Sequence, residues 1–159
     1  MHVMEATRFS QLFWPEFVEN EGCLFLARDL PSPRMPLATF QDATAVESLH
    51  NHVHILDEFE HGAALDGTDP SRGYYDAAHP DFMAACEAGK QIAAMWHAKL
   101  MLEYPDRRTR VYFTADDDPI VRFHCVRPNE PAWLDESGWQ EQIRLERVLV
   151  LDSAVAPRR

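Results

Sequence analysis

The sequence predicts an α+β domain: a mainly antiparallel sheet of about four strands with two principal helices packed on one face. Three observations carry this. Helical periodicity fills 42–62 and 80–104, an alternating pair of runs at 110–115 and 120–127 reads as a hairpin, and apolar runs of strand length stand at 23–27 and 148–151. With 159 residues, 46% of them hydrophobic, the chain has single-domain length and can bury a core without disulfides. We read residues 1–159 as one domain with a frayed tail at about 154–159.

In chain order, Phe9, Leu12 and Phe13 sit at helical spacing, and Pro15 ends that short helix. The run 23–27 follows Gly22 and reads as a strand buried on both faces. Pro31, Pro33 and Pro36 then mark a loop. Thr44 with Glu47 forms a capping box, and Val46, Leu49, Val53 and Leu56 repeat at intervals of 3, 4 and 3, so the spacing predicts a helix reaching Gly62. The connection 62–75 is polar and glycine-containing, as an exposed loop would be.

Pro80 followed by Asp81 opens the stronger helix, which Pro105 ends. Its small residues Ala85, Gly89 and Ala93 let a neighbouring element approach closely. In the hairpin, placing Tyr112 opposite Arg122 gathers Val111, Phe113, Val121, Phe123 and Cys125 on one face. The other face then carries Arg110, Tyr112, Thr114, Arg122 and His124. The last run, 148–151, has the continuous apolar pattern of an inner strand.

Composition narrows the function classes. Twenty-six acidic against 15 basic residues give a net charge of -11, which excludes a nucleic-acid binder of the ordinary kind and argues against general affinity for anionic membranes, though a small basic patch can survive inside an acidic total. No window has the length of apolar chain that a membrane span needs, and no secretory signal is visible. Three widely spaced cysteines, Cys23, Cys86 and Cys125, fit a reducing compartment, so a cytoplasmic location is expected.

Two constellations carry candidate chemistry. On the polar sheet face, Arg110 and Arg122 with Tyr112 and Thr114 would hold a carboxylate or phosphate, because guanidinium groups bind such anions bidentately. His124 would then serve as acid or base near neutral pH. The second constellation is histidine-rich. On a helix, His50, His54, Asp57 and His61 fall within about 60° of one another, a set suited to a divalent metal. Along a straight helix they would span roughly 16 Å, so they cannot all share one ion. His50 with His54, or Asp57 with His61, would need ligands from elsewhere, such as His79, Glu103 or His124.

The same stretch admits a strand. His52-Val53-His54 with Glu58 resembles the H-x-H-x-x-x-E order of cupin metal ligands, which implies a bound metal in a β-barrel. The flanking glycines of that motif are absent, and an alanine-rich helix after Pro80 does not belong in such a barrel. No nucleophile emerges, since Cys86 and His97 lie about 16 Å apart on one helix and Cys125 faces the core. Asp116-Asp117-Asp118 lacks the spacing of a calcium loop, and no glycine-rich phosphate loop is present.

No catalytic signature is complete, and three readings stay open. The first is an acidic binding module docking a basic protein or a second copy of itself, with Trp133 and Trp139 as aromatic anchors. The second is a site for a small anionic molecule on the sheet face, with or without proton transfer by His124. The third is a metal-dependent enzyme built on the histidine stretch.

Overall fold

A computed structural model describes residues 3–30, 42–62 and 75–153. The proline loop at 31–36, most of the 62–75 connection and the tail from 154 lie outside them. Along the chain the elements are α1 (Val3–Phe13), β1 (Phe17–Asn20), β2 (Cys23–Leu26), α2 (Ala43–His50), β3 (His52–His54), α3 (Pro80–Glu103), β4 (Thr109–Thr114), β5 (Ile120–Cys125), α4 (Gln140–Arg144) and β6 (Val148–Asp152). Strands β3, β5, β4 and β6 form one antiparallel sheet in that order, and β1 with β2 forms a separate hairpin. The fold is α+β with helices packed on the sheet.

The helix α3 is the centre of packing. His79 caps it by accepting from the Asp81 amide, and Pro80 occupies its first turn, where a missing N–H costs nothing. Phe82, Ile92, Trp96 and Leu100 meet Val111, Phe113, Val121 and Phe123 of the sheet in one cluster. Gly89 lets the sheet approach: a methyl group there would stand 2.5 Å from the Phe113 ring. Trp96 also donates its indole N–H to the Leu12 carbonyl at 2.9 Å, which ties α1 to α3.

The central hairpin has the predicted register, with Tyr112 opposite Arg122. Three elements differ from expectation. The predicted long helix stops at His50; Asn51 leaves the helical region, and His52–His54 form the edge strand β3. The run at Cys23 pairs with β1 rather than joining the main sheet. The run at Val148 is an edge strand, not an inner one.

One buried acid explains the first two differences. Asp42, not Thr44, caps α2, so Glu47 is free to turn inward, where it is fully buried. Its carboxylate accepts from the Leu24 amide at 2.8 Å, from the Cys125 amide at 2.7 Å and from both Nη atoms of Arg127 at 2.8 and 2.9 Å. One turn later the Asn51 amide bonds Leu26 N–H and the Leu24 carbonyl. Glu47 and Asn51 thus satisfy the edge of β2 as a neighbouring strand would. This pairing holds the hairpin against α2 and β5.

Candidate functional site

The polar face of the sheet is built by strand alternation. Cross-strand rows place His52, Arg122, Tyr112 and Val150 side by side, with His54, Ile120, Thr114 and Val148 in the next row, and His124, Arg110 and Asp152 on the other flank. Half of this face is roofed. Trp133 and Leu134, from the segment after β5, pack with Ile143 of α4 over Tyr112, Val148 and Val150.

Under the roof the polar groups satisfy one another. His124 is 1% exposed, its Nδ1 bonds the Cys125 carbonyl at 2.9 Å, and its Nε2 meets the Tyr112 hydroxyl at 3.3 Å. That arrangement suits a neutral ring with Nδ1–H donating and Nε2 accepting. Burial pushes its pKa down and that of Tyr112 up. Arg110 is held by Asp152 and by Glu136, the latter at 2.9 Å. The Arg108 guanidinium, with Arg110 beside it, holds Asp152 down to about 2. In this geometry His124 has no open face for a substrate, and internal carboxylates take the place on Arg110 that an anionic ligand would need.

Arg122 lies at the margin of the roof and differs from Arg110. Its guanidinium stacks on Trp133 at 4.1 Å from the ring centroid, makes no hydrogen bond or ion pair among the described residues, and has its Nε buried. Burial alone pulls its pKa down to about 10, so it stays charged at neutral pH. On the β3 side His52 is the cross-strand neighbour. The His52 Nδ1 bonds the Leu49 carbonyl at 2.7 Å, which leaves Nε2 as the free ring nitrogen. Burial first, and then the charge of Arg122, push the His52 pKa down. His54 packs edge-on to His52 at 5.2 Å and holds Asp118 at 2.6 Å. Thr114 stands one row away, opposite Ile120.

The residues proposed as metal ligands are dispersed. His50 ends α2 edge-on to Phe25, His54 pairs with Asp118, Asp57 lies exposed in a short 3-10 turn, and His61 packs on Tyr75. His79 caps α3 and Glu103 pairs with Lys99. Among the described residues, no three His, Cys, Asp or Glu side chains gather closely enough to hold a metal ion. The cysteines are free, and burial pushes their thiols up, Cys86 to about 11. Sequence reasoning missed His52 and Trp133 as neighbours of Arg122. The signal for His52 was the alternation His52-Val53-His54.

No described helix is long and apolar enough to cross a membrane. Compared with protein-family models, with curated proteins and with solved structures, the chain matches none.

Proposed function

We propose that this domain is a binding module that takes up a carboxylate or phosphate group on the sheet margin between His52 and Trp133. The observation that carries this reading is the solitary charge of Arg122. The other arginines in or beside β4 and β5 are matched by acids: Arg108 and Arg110 by Asp152, Arg107 by Glu19 and Arg127 by Glu47, while Arg147 ahead of β6 is exposed to water. Arg122 sits partly buried without such a partner, in a protein with 26 acidic residues available to supply one. A desolvated cation without a counter-charge is costly, and an incoming anion removes that cost. Trp133 holds the guanidinium against its ring, with Cζ 4.1 Å from the centroid, which limits the freedom an anion would otherwise have to freeze.

His52 contributes a second donor when protonated. An anion beside it favours the protonated ring, so binding is expected to take up a proton and to strengthen as pH falls toward 6. The test is a titration of the full chain with inorganic phosphate and, separately, with citrate, followed by calorimetry and by thermal unfolding. Binding to the wild type, lost in Arg122→Met and losing in His52→Gln the pH dependence that exceeds the anion's own ionisation, supports the reading. Equal responses from wild type and Arg122→Met would sink it.

A further inference from the structure

The outer edge of β6 is treated differently from that of β2. The Ala115 amide donates to the Arg147 carbonyl at 2.8 Å and the Ser153 amide to the Thr109 carbonyl at 2.9 Å, while Leu149 and Leu151 stand opposite Phe113 and Val111. These odd-numbered residues therefore exchange bonds with β4. In an antiparallel ladder the residues between them point their N–H and C=O groups the other way. Those of Val148, Val150 and Asp152 lie along the outer edge, and no described strand follows β6 in the sheet. Side chains of α2 occupy the equivalent edge of β2, whereas nothing described does so here.

The edge also lacks the usual protections. Val148-Leu149-Val150-Leu151 contains no lysine, no proline and no bulge. Beside it lies a groove of about 490 Å³, lined by Lys90 of α3, Ile143 of α4, and Leu149 and Val150 of β6 itself. No described strand lies beyond β6.

We infer that β6 is a dimerisation strand, which pairs antiparallel with β6 of a second copy across a twofold axis at Val150. Parity dictates that centre. Val150 on Val150, with Val148 on Asp152, brings every outward N–H and C=O of one strand to an outward group of the other. A shift of one residue sets outward groups against inward ones, and a shift of two leaves one end unpaired. Charge does not oppose the same register: Asp152, the one charged residue of the strand, falls opposite Val148 and is already neutralised by Arg108 and Arg110.

The experiment is sedimentation of the full chain from about 1 to about 100 μM, with amide hydrogen exchange at the two extremes. The expected mass at high concentration is twice 18.3 kDa. The amides of Val148, Val150 and Asp152 should gain protection with concentration, while those of Leu149 and Leu151 are protected throughout. Val150→Pro removes an N–H that makes no bond within the chain, so it should keep the native circular dichroism and weaken the dimer at least about 10-fold. A chain that stays monomeric with all three amides exchanging fast overturns the inference. So does a dimer that Val150→Pro leaves intact while those amides remain fast. Protection appearing only on addition of an extended peptide would assign the edge to a partner strand instead of a second copy.

Discussion

Replacing Arg122 by methionine should stabilise the fold while removing its response to anions. Burial pulls Arg122 down to about 10, from an ordinary arginine value of about 12.5 or above. At about 1.4 kcal/mol per tenfold change in proton affinity, the charged guanidinium carries an electrostatic cost of about 3 kcal/mol. The residue keeps partial exposure, and solvent screening reduces that cost to about 1–2 kcal/mol. Stacking on Trp133 offsets about 0.5–1 kcal/mol of it. Methionine retains most of the aliphatic stem and its packing, so the net gain is about 0.5–1 kcal/mol, or about 1–4 °C in Tm for a chain of this size. The measurement is urea unfolding by tryptophan fluorescence at pH 7 in buffer free of phosphate and carboxylates, since bound anion would stabilise the wild type alone. Arg122→Met unfolding at lower urea than the wild type, with unchanged slope, would mean that the guanidinium holds the fold together. The reason for regarding it as reserved for a ligand would then be gone.

Four other perturbations address the scaffold and its titration. Glu47→Gln removes the charge that pairs Arg127 and turns one of the two accepting oxygens into an amide donor facing a buried N–H, and should cost about 3–5 kcal/mol in urea melts; a cost under about 1 kcal/mol would contradict the bridging role. Gly89→Ala drives a methyl group into the Phe113 ring and should lower stability by about 1–3 kcal/mol, whereas Gly138→Ala, with open space around it, should change little. Burial lowers the His124 and His52 pKa values, so the folded chain binds protons less readily than the unfolded one. Stability from these groups is complete above about pH 6.5 and is lost as pH falls below it, and His124→Gln should flatten thermal melts between about pH 7 and 5. Asp152 is depressed to about 2, so its contribution is present above about pH 4 and disappears toward pH 2; Asp152→Asn should remove that part of the acid-unfolding curve.

Much of the fold was legible because apolar alternation and helical period follow from which face is buried. The register of β4 on β5 came from the face shared by Val111, Phe113, Val121 and Phe123, and α3 from its proline start and small-residue stripe. The helix-to-strand change at Asn51 was not legible. Val53 and Leu56 continue the helical period of α2, and a three-residue strand is too short to announce its own. Tertiary bonds from Asn51 to β2 decide the local conformation there. Glu47 was misplaced for a related reason. A carboxylate at helical spacing reads as a capping or solvated residue, and its burial depends on Arg127, which lies 80 residues away in sequence. The sheet face was read correctly as a set of residues, yet which half of it is roofed depends on where Trp133 folds, and strand alternation carries no information about that.

The two proposals rest on one physical rule applied at different places. Buried charges in this molecule are matched by something near them, and Glu47 matches both Arg127 and the edge of β2. Arg122 and the outer edge of β6 are left unmatched among the described residues. They lie on different parts of the sheet, with β4 between β5 and β6 and the Trp133 roof over that interval. Anion binding at Arg122 engages no main-chain group of β6, and main-chain pairing at Val150, although Val150 stands in the His52 row, engages neither the Arg122 nor the His52 side chain. Mutations at sites that do not touch one another add in free energy unless a shared neighbour moves, and here the shared neighbours are Tyr112 and Trp133. Val150→Pro should therefore leave the phosphate titration unchanged, and Arg122→Met should leave the dimerisation constant unchanged. Coupling between them of more than about 0.5 kcal/mol would place Trp133 and Tyr112 in motion between the two sites, because they alone bridge Arg122 to the β6 side of the sheet.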